Sequence, residues 1–253
     1  MPGICDFDTI RRHHLKNYLH PRSRIGITED NPFLRDTIQI AKLARVDFAI
    51  QCLDDALGRI FDVLAGDVFA VHQTAIEKET EQLGIPVSGK TDITIVSSFP
   101  YDEGIQIMKA FLPAAMVTKP GGTIFVVTEL TEPLPEFFLE SVHKVMGDDC
   151  DEAQAHIVEK LDKHEPLIEG AGMDFTLALV LIFCVSRQFK LTMIGHDVLR
   201  EAAAAMGCDY SPDLITALQG ERKNRQEASV SVIPAGGYVF PVISEPFYLF
   251  GGT

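Results

Sequence analysis

The chain has 253 residues, of which 46% are hydrophobic and 23% charged, a globular composition that excludes disordered and collagen-like chains and is long enough for a sizeable core. Lys and Arg number 22 against 36 Asp and Glu, a formal net charge of -14. So negative a surface repels phosphate backbones and anionic lipid, which argues against nucleic acid and membrane surfaces as partners.

The five cysteines, Cys5, Cys52, Cys150, Cys184 and Cys208, are odd in number and widely spaced, without C-x-x-C. That is the pattern of reduced thiols in a cytoplasmic protein, not of a disulfide framework or a structural zinc site. No signal peptide is apparent. The longest apolar run, LALVLIFCV at 177–185, is too short to span a bilayer and reads as a buried helix.

In chain order, Asp8 caps a first helix over Thr9 to Tyr18, ended by Pro21. Asn31-Pro32 opens a second helix running to Arg45. VDFAIQCLDD and GRIFDVLAGD read as two strands joined by a short turn, followed by an acidic helix from Asp67 to Leu83. GIPVSGK at 84–90 is rich in Gly, Pro and Ser and marks a domain boundary. Strands and helices then alternate: TDITIVSS, a helix over Glu103 to Val117, GGTIFVVTE, three helices, QFKLTMIG, a helix closed by Gly207, another helix, and ASVSVIP. This predicts an α/β chain of two lobes, the second, 89–235, a doubly wound, mostly parallel Rossmann-like sheet. The first lobe comprises 1–88, with the Gly-, Pro- and aromatic-rich tail 236–253 packing back on it.

Ligands of open parallel sheets gather at the carboxyl ends of strands, so the loop after TDITIVSS, FPYDEGIQIMKAF, is the first candidate. Gln106 and Lys109 lie three apart near a helix start and share a face, suited to holding a carboxylate, although a solvated surface would show the same pair. His13 and His14 are adjacent on the first helix, about 100° apart, so only one can face a given site. Histidine is a common ligand for metals such as nickel and zinc, but no second ligand lies at local spacing. His72, His143, His156, His164 and His196 show no pairing pattern. G-x-G-x-x-G, P-loop and G-x-S-x-G motifs are absent, which disfavours standard dinucleotide, P-loop and serine-hydrolase chemistry. KPGGTIFVVTE is similar to a segment of S-adenosylmethionine-dependent methyltransferases, a rival reading.

PGICDFDTIRRHH, NPFLRDTIQIAKLARVDFAIQ, IFDVLAGDVFAVHQ, FPYDEGIQIMK, KPGGTIFVVTE and VIPAGGYVFP occur in an order that resembles the nickel-dependent lactate racemase family over nearly the whole chain. The resemblance implies two α/β domains and a nickel-pincer nucleotide. In that chemistry a hydride passes from the α-carbon of a small 2-hydroxy acid to the cofactor ring and back, with histidines moving the hydroxyl proton. It implies His14 as the protein ligand to nickel, and Gln106 and Lys109 as the pair facing the substrate, Lys109 holding its carboxylate. The chain departs from the family pattern at Ile105, usually Tyr, in a loop one residue shorter, at Met173-Asp174-Phe175, and at Ala235 in the late glycine turn. In the family, a preceding segment supplies the proton-transfer histidines and the Lys that anchors the cofactor covalently. That Lys would fall just upstream of Pro2. The expectation is therefore the C-terminal portion of a racemase or epimerase, an isomerase inactive as this chain alone, with Met1 internal to a longer frame or opening a separately encoded half whose partner carries the rest. The other reading is a non-catalytic binding subunit that kept the fold.

Overall fold

The computed structural model describes residues 5–55, 57–147, 149–224, 227–243 and 247–250. The opening Pro2-Gly3 and Asp148 lie outside them. The chain divides into two compact units, one of Met1–Val87 with Tyr238–Tyr248, the other of Ser88–Gly237 with Leu249–Thr253.

In the first unit, helix α1 spans Phe7–Tyr18 and α2 spans Pro32–Ala44. The cap of α1 is Asp6, whose carboxylate accepts from the Thr9 amide at 3.0 Å. The expected cap, Asp8, instead lies in the first turn and pairs with Arg11 and Arg12, the second at 2.7 Å. With Asp6 accepting from the Thr9 amide, Asp8 pairs three and four residues further along the helix. Asn31 caps α2 as expected, accepting from Phe33 and Leu34. Strands β1 (Ala49–Asp54) and β2 (Ile60–Gly66) form an antiparallel hairpin. Helix α3 (Val68–Leu83), capped by Asp67, packs against it. The Gly-Pro stretch read as a boundary contains a short strand, β3 (Gly84–Pro86). It pairs in parallel with Phe240–Val242 of the tail, a pairing between segments over 150 residues apart that leaves no local sequence signal.

In the second unit, β4 (Thr91–Ser97) precedes a 3-10 helix (Gly104–Ala110) that continues directly into α4 (Phe111–Val117). The expected single helix therefore begins as the tighter form. Then come β5 (Thr118–Val127), α5 (Glu136–Gly147), α6 (Cys150–Asp162), α7 (Met173–Gln188), β6 (Lys190–Ile194) and α8 (Leu199–Met206). Gly207, at φ 65°, ends α8 in the left-handed region that an L side chain adopts only with strain. The last elements are β7 (Asp209–Ser211), α9 (Leu214–Asn224) and β8 (Val230–Ile233); the tail strand of the first unit is β9. Strands β3, β7 and β9 have only three residues each, too short to show a period in sequence.

Five strands form one sheet in the order β7-β6-β5-β4-β8, with every neighbouring pair parallel. The expected α/β class with a doubly wound, Rossmann-like parallel sheet is the one observed. Strands β4 to β6 bury near-continuous apolar runs, as strands covered on both faces must. The apolar run of α7 is buried from Ala178 to Val185 and packs on α4, α5 and β5. Its burial contributes roughly 1.5–3 kcal/mol for each large side chain, which explains a helix with almost no polar face. No helix among the described residues is long and apolar enough to cross a membrane.

The KPGG segment has a local role. Gly121, at φ 72°, lies in the first half of β5, where Thr91 pairs with Thr118 but Ile93 with Thr123, so the Pro-Gly-Gly segment is an irregularity within the strand. This end of the strand is opposite to the one at which open parallel sheets hold ligands.

Candidate active site

The chain leaves β4 toward β5 on one side and returns from β7 to place β8 on the other side of β4. The carboxyl ends of β4 and β8 therefore form a switch point of the sheet, the place where such folds leave a crevice. Two segments meet there: the loop 98–101 after β4, and the turn 234–237 after β8.

Ser98 is buried, and its hydroxyl donates to the Tyr101 carbonyl at 2.7 Å, while the Tyr101 amide donates to the Ser98 carbonyl at 2.9 Å. The turn after β8 closes on this loop through two backbone bonds: the Gly236 amide donates to Ser97 O at 2.9 Å, and the Gly237 amide to Phe99 O at 3.0 Å. Glycine is required by proximity. A Cβ on Gly236 would stand 2.3 Å from Val96 Cγ2 and 2.8 Å from Ser97 O. One on Gly237 would stand 2.4 Å from the Tyr101 ring. The glycine pair thus forms a floor on which Tyr101 lies.

The 3-10 helix that follows is seven residues long, longer than such runs usually are. Three residues per turn give it three faces, with positions i and i+3 eclipsed. Ile107 and Ala110 bury one face, and Ile105 and Met108 another. The third carries Gln106 and Lys109, half-buried and exposed respectively. The two predicted residues are thus brought onto one open face by the burial of all their neighbours. An α-helix would have set them about 60° apart; the 3-10 form stacks them.

The Lys109 ammonium is held from the loop. It donates to the Tyr101 hydroxyl at 3.1 Å and lies 4.3 Å from the centre of the Tyr101 ring. An exposed cation held in this way contributes about 0.5–1 kcal/mol, little for stability but enough to favour one direction of a four-carbon side chain severalfold. Tyr101, Gly236 and Gly237 are not among the residues that the sequence pattern singles out. The signal was there, in an aromatic three residues before the Gly of the loop and a double glycine after the last strand, but nothing in one dimension joins residues 136 apart.

His14 belongs to the first unit. Its Nδ1–H donates to the Ile10 carbonyl at 2.8 Å, one turn back along α1. A carbonyl can only accept, so the neutral ring carries its proton on Nδ1 and leaves the Nε2 lone pair unprotonated. Burial is the main reason this imidazole titrates below the usual histidine range. A neutral histidine with one nitrogen tethered to a backbone carbonyl is what a metal ligand requires. His13 is buried, donates from Nε2 to Phe33 O at 3.1 Å and packs tilted against the Phe33 ring, centroids 4.1 Å apart. Its other nitrogen, Nδ1, has no hydrogen-bond partner but is buried, whereas the His14 ring is only half-buried. Among the described residues no group of three or more His, Cys, Asp or Glu could hold a metal ion.

No family model matches the chain. Among curated proteins it is 30% identical over 131 residues to the lactate racemase of Lactiplantibacillus plantarum, covering 50% of this chain and 31% of that one. It is 29% identical over 136 residues to the lactate racemase of Thermoanaerobacterium thermosaccharolyticum, covering 52% and 32%. The matches span about a third of the length of these relatives. The solved lactate racemase apoprotein from T. thermosaccharolyticum superposes with a TM-score of 0.81 over 95% of this chain and 57% of that one, at 23% identity. Sequence and fold agree: about half of this chain is similar in sequence to the curated lactate racemases, and nearly all of it shares the fold of the solved one.

Proposed function

We propose that this chain is the C-terminal portion of a 2-hydroxy acid racemase or epimerase that works with a nickel-pincer nucleotide. The observation that carries the reading is the stacked Gln106–Lys109 pair on the open face of the 3-10 helix, at the switch point of a sheet with the racemase fold. Lys109 supplies the positive charge that pairs with the substrate carboxylate. Gln106, whose amide has no protein partner among the described residues, offers both a donor and an acceptor to the neighbouring hydroxyl. Tyr101 keeps the ammonium directed when substrate is absent. His14 would hold the nickel through Nε2, and the nucleotide, when bound, would supply a hydride acceptor for the α-carbon. The chain contains no assigned base for the hydroxyl proton, so turnover depends on a complementing segment, and the purified chain alone is inactive.

The test is binding, because it does not require the complete enzyme. Titration of the chain with L-lactate and D-lactate, followed by NMR, should shift amide signals of 98–110 and 236–237 saturably. Lys109→Ala should weaken binding by about tenfold or more, the loss of one charge-assisted hydrogen bond, while Lys109→Arg retains part of it. Equal affinity in Lys109→Ala overturns the substrate assignment. Racemisation by the purified chain on its own overturns the need for a complement.

A further inference from the structure

One face of α3 closes a cavity of about 240 Å³ in the first unit, against Gln51 of β1, the loop 26–28 and Phe240 of β9. Ala75 and Phe240, both buried, and Ile76 make its apolar floor. Gly26, at φ 81°, brings the loop onto that floor, where a Cβ would stand 2.9 Å from the Phe240 ring and 3.0 Å from Pro241 O. Five polar side chains border the space: Thr28, Gln51, His72, Glu79 and Thr80. None of them has a hydrogen-bond or ion-pair partner among the described residues, although all but Thr28 are partly shielded from water. Shielded polar groups are normally paired within the protein. A few unpaired ones converging over an apolar floor are the arrangement of a ligand site.

The charge at this cavity has one sign. Glu79 lies on its wall, and no Lys or Arg borders it. Lys78, adjacent in sequence, pairs instead with Asp62 at 2.7 Å. The Asp54 carboxylate, close enough to repel Glu79, is bonded among the described residues only by the neutral Tyr238 hydroxyl, at 3.0 Å. Burial first and Asp54 second push the Glu79 carboxyl up, as befits a carboxylate whose charge nothing in the fold offsets. His72 and Glu79 lie two turns apart on α3, about 10 Å along its axis, so a ligand reaching both is elongated and passes over Ala75 and Ile76.

We infer that this cavity binds a small organic cation, with a primary ammonium on Glu79, an alkyl stem over Ala75 and Ile76, and a hydroxyl or amide at the far end met by His72 and Gln51. Gln51 offers both a donor and an acceptor, so either kind of polar end is accommodated. An anion such as a 2-hydroxy acid is repelled by Glu79 and Asp54, so the site differs in chemistry from the Gln106–Lys109 face and does not rest on the racemase reading.

The test titrates the purified full chain with aminopentanol, its amine and hydroxyl at opposite ends of the stem, and follows amide signals by NMR. Signals of 26–28, 51 and 72–80 should shift saturably at millimolar concentration, and pentanediol, of the same length without the charge, should bind about tenfold more weakly or worse. Glu79→Gln is nearly isosteric and should cost aminopentanol about tenfold or more in affinity with the rest of the spectrum unchanged, while Glu79→Asp retains part of the binding. Thr80→Lys asks the same question without touching Glu79: it supplies the cation from the chain itself and should abolish saturation. Absence of saturation, equal affinity for pentanediol, or equal affinity in Glu79→Gln overturns the inference, as does L-lactate shifting the same signals with equal affinity. Failure of lactate to bind anywhere on the chain overturns the racemase reading and leaves this one standing.

Discussion

The floor beneath Tyr101 makes the sharpest prediction. In Gly237→Ala the new methyl would lie 2.4 Å from Tyr101 Cδ2, 2.8 Å from Cε2 and 2.9 Å from Ser98 O. Carbon atoms rest at about 3.5–4.0 Å, so the ring must move by about 1 Å or more. That movement separates Lys109 from a hydroxyl now 3.1 Å away and from a ring centre 4.3 Å away. Overpacking of this kind costs roughly 1–3 kcal/mol, to which the loosened cation–ring contact adds about 0.5–1 kcal/mol. Tyr101→Ala removes the ring that clashes, so in that background Gly237→Ala should meet only Ser98 O and cost much less. A double-mutant cycle from urea unfolding should therefore give a coupling of about 1 kcal/mol or more. In parallel, Gly237→Ala should weaken lactate binding although it removes no group that contacts the substrate. Additive free energies, within about 0.5 kcal/mol, would refute the claim that glycine is needed here to seat Tyr101.

Asp92 accepts from the Ser229 amide at 2.9 Å and hydroxyl at 2.5 Å and pairs with Lys119 at 2.9 Å, bonds that hold its carboxyl far below the ordinary carboxylate range. A lowered folded pKa contributes stability that is complete above the unfolded value, 3.8, and is lost as pH falls below it. Asp92→Asn should thus lower the urea midpoint at pH 7, and the gap to the native chain should narrow steadily when the same titrations are run below about pH 4. Burial, with Asp209 adjacent, pushes the Cys208 thiol up to about 12, so mass spectrometry after brief alkylation at pH 8 should find exposed Cys52 of the purified chain modified well before Cys208. Asn31→Ala removes the acceptor for the Phe33 and Leu34 amides and the side-chain bond to Ile27 O, and should cost about 1 kcal/mol in the same unfolding assay.

The order of elements was legible in the chain because each rests on local chemistry: Asn31-Pro32 starting α2, Asp67 capping α3, Gly207 ending α8, and β-branched runs becoming buried parallel strands. The same local logic placed Gln106 and Lys109 near the carboxyl end of a strand, and the order of motifs pointed to the racemases. It failed where two good answers competed within a turn, as Asp6 and Asp8 did for the first cap, and where a partner is remote, as β3 and β9 are for each other. Whether Gln106 and Lys109 lie 60° apart or stack depended on whether the segment wound as an α- or a 3-10 helix, and burial of Ile105, Ile107, Met108 and Ala110 on the other two faces goes with the tighter form. The direction of the Lys109 ammonium depended on Tyr101, and the seat of Tyr101 on a glycine 136 positions later. Propensity and periodicity are properties of neighbours in sequence, so the residues themselves determined the elements and their order. Close approach is a property of neighbours in space, so only the folded chain decided how the site is aimed.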